Sequence, residues 1–128
     1  MILDTSALVA LILQEDGYEE LARIASEASV RGVGTPSLVE TGIVLHGRVG
    51  GVARTALERL LADAEVETIA FTERHWPVAL RAFARFGKGR HPAALNLGDC
   101  FTYATASVAG EPLLCLGHDF AQTDLELA

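Results

Sequence analysis

Short apolar runs alternate with longer stretches of helical periodicity, and this alternation constrains the fold more than any other feature of the chain. Residues 1–3, 32–34, 66–71 and 112–116 are short and largely apolar, as expected of strands buried on both faces. Between them lie stretches with one apolar face and a start or stop signal, which predict helices over 7–13, 18–30, 37–48, 52–64, 73–86 and 96–109. Thr5 or Ser6 is expected to cap the first helix, Thr35 the third and Thr72 the fifth. Pro36 fits a first turn, and Pro77 fits either a first turn or a kink. Gly17 and the Gly50-Gly51 pair break the pattern, and residues 118–128 read as a polar turn and tail. Strands separated by helices predict an α/β fold, a short parallel central sheet with helices on both faces. No linker or repeat interrupts the 128 residues, so one domain over 1–128 is expected.

Half of the residues are hydrophobic, enough for a core at this length. The formal net charge of -7 excludes a protein that coats nucleic acid through bulk positive charge, though not an enzyme that cuts it. The opening MILDTSALVALILQED carries an acid at position 4 and no basic leader, and its apolar stretch is too short to span a bilayer. A cytoplasmic protein with no membrane partner is expected. Cys100 and Cys115 match no zinc spacing and read as two reduced thiols.

Several acids sit where an acid is costly. Asp4 ends the first strand, and ligands of parallel sheets gather at that edge. Glu40 stands among Leu38, Val39, Ile43 and Val44; Asp99 stands among Leu95, Leu97, Cys100, Phe101 and Tyr103. A carboxylate in such company needs a partner or a metal. Converging carboxylates repel one another, and a hard divalent cation such as Mg²⁺ resolves that repulsion through oxygen ligands. Bound ions of this kind activate water and neutralise charge during phosphodiester cleavage. Lys88, Arg90 and His91, with Arg81 and Arg85 nearby, form the only basic cluster: either a contact for a nucleic-acid backbone or a solvated loop. His46 and His75 read as structural or surface residues. Trp76, Phe83 and Phe86 read as packing or dimer contacts.

The opening MILDTSALVA, the helix start TPSLVETG, the stretch GKGRHPAALNLGDCFTYATA and the ending PLLCLGHDFAQTDL together resemble the PIN-domain toxins of type II toxin–antitoxin modules, the VapC family. The resemblance spans nearly the whole chain and is most specific in LNLGDCFTYA. It implies a Mg²⁺- or Mn²⁺-dependent endoribonuclease, a homodimer, an RNA substrate and inhibition by a cognate antitoxin. Asp4, Glu40 and Asp99 match the family's acids. Ser6 matches the hydroxyl beside the first, and Asn96 the polar residue before the third. On this reading Asp4 and Asp99 hold the metal directly, and Glu40 and Asp119 act through water. Ser6, Asn96, Lys88 and Arg90 face the substrate.

The ending departs from the pattern, with Gly117 and His118 where relatives often carry an acid. Asp119 and Asp124 both remain candidates for the fourth acid. Asp119 is favoured because a chain gains at most about 3.6 Å per residue and therefore stays near the strand end. Two other functions remain open: an inactive PIN-like binding or regulatory module, and a metal-dependent nuclease acting on DNA.

Overall fold

The computed structural model describes all 128 residues. In chain order it contains β1 (Ile2–Leu3), α1 (Thr5–Leu13), α2 (Tyr18–Glu27), β2 (Arg31–Gly34), α3 (Thr35–Val49), α4 (Ala53–Asp63), β3 (Val66–Ile69), α5 (Trp76–Phe86), α6 (Leu97–Ala109) and β4 (Leu113–Leu114). Short 3-10 turns occupy Gly50–Val52 and Phe120–Gln122. The four strands form one parallel sheet in the order β3-β2-β1-β4. No helix is long and apolar enough to cross a membrane.

Successive strand residues face opposite sides of a sheet, and this assigns the helices. Ile2 and Leu113 point into one cluster with Ala79, Ala82 and Phe86 of α5 and Cys100, Tyr103 and Ala104 of α6. Leu3, Val33 and Leu114 point into the other, with Ala7 and Leu8 of α1, Leu21 and Ala25 of α2, and Leu60 and Leu61 of α4. A third cluster of Val9, Leu45, Ala53 and Leu57 joins α1, α3 and α4. The result is the expected sheet covered on both faces. Gly34 is needed where β2 meets α6, since a Cβ there would stand 2.6 Å from Thr105 Oγ1.

Local starts and stops differ from the sequence reading in instructive ways. The N-cap of α1 is Asp4, not Thr5 or Ser6; its carboxylate accepts from Ser6 N at 3.0 Å. The helix thus begins on the residue that ends the strand. Gly34 caps α3 without a side-chain bond, and Thr35 Oγ1 instead accepts from Phe71 N at 3.3 Å. Residues 73–75 form a turn, because the His75 ring nitrogen accepts the Thr72 backbone N–H at 3.0 Å, and α5 starts only at Trp76. Pro77 then falls in a first turn, where its missing N–H costs nothing. The tail is not merely polar: Phe120 is buried, Leu125 packs on the core, and Leu127 pairs with Leu113 in parallel. Leu113 N donates to Glu126 O and Ala128 N to Leu113 O, each at 2.9 Å, so the chain end covers the outer edge of β4.

Candidate functional site

Asp4 is 5% exposed at the carboxyl end of β1. Its amide still bonds the sheet through Leu114 O at 3.0 Å, while its carbonyl accepts from Leu8 N as α1 begins. Its side chain is held from both sides. Oδ2 accepts from Ser6 N at 3.0 Å and from Ser6 Oγ at 2.6 Å, and Oδ1 accepts from Thr102 Oγ1 at 2.8 Å. Ser6 Oγ in turn accepts from Leu116 N at 2.9 Å, so one hydroxyl ties the first acid to the end of β4. Behind Thr102 lies Ser37 Oγ at 3.1 Å, and the Ser37 carbonyl accepts from Thr41 at 2.7 Å and Thr5 at 3.3 Å. This buried hydroxyl chain backs the Thr102 contact and so helps to hold the Asp4 side chain in place. Ser6, which also lines the cleft, thus orients the acid.

Asp99 sits in the first turn of α6 in a reciprocal capping box. Asn96 Oδ1 accepts from Asp99 N at 2.9 Å, and Asp99 Oδ2 accepts from Asn96 N at 3.0 Å. The Asn96 oxygen is thus committed to the helix start, and only its side-chain NH₂ makes no bond. Burial pushes the Asp99 carboxyl up to about 6; the Asn96 N–H opposes the shift, and the charges of Asp4, Asp119 and Glu40 add to it. Asp99 therefore lies within electrostatic reach of the other three acids. Glu40 reaches this group from α3 and lies against Gly98. Any Cβ at position 98 would overlap the Glu40 carboxylate, which explains a glycine in a first helical turn.

Asp4, Glu40 and Asp99 line one open cleft of about 250 Å³, together with Ser6, Asn96 and Leu116. Asp119 is exposed just past β4 and makes no capping bond, and its charge acts on Asp99. Asp124 is spent elsewhere: it accepts from Tyr103 Oη at 2.6 Å and from Arg85 at 3.1 Å, and these bonds hold its carboxyl below the usual range. Neither tail candidate lines the cleft itself; Asp119 is the one whose side chain carries no bond and whose charge acts on Asp99.

The oxygen-only donor set suits a hard divalent cation. Burial, and then the charges of Asp4, Asp119 and Asp99, push the Cys115 thiol up to about 11, which disfavours a thiolate there. No three of these side chains lie together at ligand distance.

The basic cluster divides. Lys88 and Arg90 lie on the loop leading into α6, outside the cleft wall. Arg81 and Arg85 are turned to the far side of α5, where they line a separate hollow with Tyr103 and Ser107. The cation that does line the cleft is Arg48, with Glu15 beside it, and sequence reasoning missed both. It also missed Thr102, although its position three residues past Asp99 puts both on one helix face. His75 is buried, with its basicity lowered first by that burial, and serves the turn before α5. Phe86 is core, whereas Trp76, Leu80 and Leu97 are exposed around an apolar groove of about 440 Å³ that holds no acid or base.

The family model described as PIN domain matches residues 1–126. Ribonuclease VapC36 of Mycobacterium tuberculosis is 49% identical over 127 residues, covering 98% of this chain and 91% of its own. Among solved structures, that of Mycobacterium tuberculosis VapC20, titled a sarcin-ricin loop cleaving toxin, superposes with a TM-score of 0.80 at 20% identity. It covers 99% of this chain and 97% of its own. VapBC2 from Rickettsia felis, bound to a DNA fragment from its promoter, gives a TM-score of 0.76 at 17% identity, covering 99% and 96%.

Proposed function

This chain belongs to the PIN-domain family, among its VapC ribonucleases, and on that premise we propose that it is a metal-dependent endoribonuclease, the toxin of a toxin–antitoxin pair. The observation that carries the reading is the convergence of Asp4, Glu40 and Asp99 on one cleft, where Asp99 is held up to about 6. In this reading Asp4 and Asp99 bind Mg²⁺ (or Mn²⁺) directly, and Glu40 and Asp119 act through water. An ion there supplies activation of the attacking water and neutralises charge on the phosphodiester. The chain's own work is to hold the oxygens still: Ser6 and Thr102 fix Asp4, the capping box fixes Asp99, and Gly98 makes room for Glu40. The Asn96 NH₂ is the group beside Asp99 left to meet substrate, and Lys88 and Arg90 contact RNA beyond the cleft.

We further propose residues 1–128 as one nuclease unit acting in the cytoplasm. It forms a homodimer through the exposed apolar side chains Trp76, Leu80 and Leu97. A cognate antitoxin, as in the VapBC complex it resembles, would inhibit it by presenting a cation to the acid cleft. The test is cleavage of RNA and of DNA of the same sequence by the purified chain, with Mg²⁺, with Mn²⁺ and with chelator. Metal-dependent cleavage of RNA alone is expected, and Asp4→Asn should abolish it in a chain that remains folded. Cleavage of DNA only, or cleavage indifferent to chelator, would refute the proposal.

A further inference from the structure

Three of the acids in the cleft are accounted for, but one arginine in its wall is not. Glu40, Val44 and Arg48 follow one another at four-residue spacing along α3 and all line the cleft. Eight residues at 1.5 Å rise put the Arg48 backbone about 12 Å along the helix from Glu40. That distance separates the Arg48 backbone from Glu40, while its side chain still lines the same cleft. It is the only cation among the lining residues.

Arg48 is also unspent. It donates no hydrogen bond, and its one charged neighbour is Glu15, just past the end of α1, at 3.7 Å. The pair does not close: Glu15 Oε1 is buried and has no hydrogen-bond partner. The arginine side chain is 61% exposed. Other arginines contrast with it, since Arg31 is bound to three carbonyl acceptor contacts and Arg54 to Glu58. An exposed pair without a hydrogen bond is worth well under about 1 kcal/mol. A phosphate that accepts two parallel N–H bonds competes easily for the same fork.

We infer that Arg48 binds a phosphate flanking the scissile one, and that Glu15 parks it across the cleft mouth until RNA arrives. The inference rests on the nuclease reading for its substrate class. Polyanion entry into a cleft walled by carboxylates requires a cation that is not the metal, and the geometry supplies one. Glu15 then plays a positioning part, holding the guanidinium over the mouth without satisfying it.

The experiment measures binding of a fluorescently labelled single-stranded RNA of mixed sequence, with Mg²⁺ replaced by Ca²⁺, across a salt series. Mg²⁺-dependent cleavage of the same RNA is followed in parallel. Arg48→Ala should weaken binding about tenfold and lower the log–log salt slope by about 0.7, one phosphate contact on a single strand. Arg48→Lys should restore the slope but only part of the affinity, because it keeps the charge and loses the fork. Glu15→Gln should tighten binding, and metal affinity should be unchanged in Arg48→Ala. Parental affinity and slope in Arg48→Ala would overturn the assignment while cleavage by the parent leaves the nuclease reading standing. RNA binding that depends on Arg48 in a parent that never cleaves would overturn the nuclease reading instead and keep the contact. A parent that neither binds nor cleaves RNA overturns both.

Discussion

Asp99→Asn should stabilise the metal-free protein while removing its metal. Burial, then the charges of Asp4, Asp119 and Glu40, move this carboxyl from 3.8 to about 6. A folded-state pKa above the unfolded one means that the fold disfavours the ionised form. Below about pH 4 the group is protonated in both states and costs nothing; the cost grows as the pH rises to about 6 and is constant above it. A difference of about two pH units sets a ceiling of about 3 kcal/mol, at 1.36 kcal/mol each. Asp99 retains some solvent contact, and screening reduces the expected gain at pH 7 to about 1–2 kcal/mol. The helix start survives the change, since an asparagine oxygen can still accept from Asn96 N. The assay is urea denaturation in chelator between pH 4 and 8. The variant should exceed the parent at pH 7, and the difference should vanish near pH 4. Adding Mg²⁺ should reverse the order, because the parent gains about 2.7 kcal/mol at one hundred times its dissociation constant and the variant gains little. Equal stability of the two proteins at pH 7 without metal, or equal stabilisation of both by Mg²⁺, would refute the reasoning.

Four other variants test the cleft and its surroundings. Gly98→Ala should leave the melting temperature unchanged or raised, since alanine is the better helix former by up to about 1 kcal/mol. It should cut RNA cleavage at least tenfold by displacing Glu40; full activity would show that Glu40 is dispensable. Asp119→Asn should raise the Mg²⁺ concentration needed for cleavage. By contrast, Asp124→Asn should cost about 1–2 kcal/mol in denaturation through its bonds to Tyr103 and Arg85 and leave metal dependence alone; the reverse pattern would return the fourth acid to the tail. Changing Lys88 and Arg90 together to alanine should reduce the salt slope of RNA binding by up to about 1.4, and an unchanged slope would confine the loop to a structural role.

What the sequence made legible was set by local chemistry. Asp4, Glu40 and Asp99 stood out because each breaks an apolar pattern, and burial of a carboxylate is costly wherever the chain goes. The parallel sheet was legible because strands and helices differ in period. The supporting residues were hidden for the opposite reason. Thr102 reads as an ordinary core hydroxyl until α6 is docked beside β1, ninety-eight residues away along the chain. Arg81 and Arg85 look close to Lys88 in the sequence, yet a helix rotates about a third of a turn per residue and takes them to another face. The cap of α1 was misassigned to Thr5 or Ser6 because the helix starts at Thr5, two residues before the expected Ala7, leaving Asp4 for both duties.

That double duty decides how the enzyme can be lost. The two acids proposed to hold the ion also start helices, Asp4 as the N-cap of α1 and Asp99 within the box that opens α6. Asparagine retains the capping oxygen at either position, so it yields a folded chain without catalytic charge. Alanine or valine at Asp4 removes the cap, at about 1 kcal/mol or more, and takes the carboxylate acceptor from the Ser6 and Thr102 hydroxyls; at Asp99 it removes the side-chain acceptor of the Asn96 N–H. Inactivating substitutions at these two sites therefore fall into two phenotypes. One is a persistent, silent protein that still occupies the parent's binding partners; the other is a destabilised chain that proteolysis clears, releasing them.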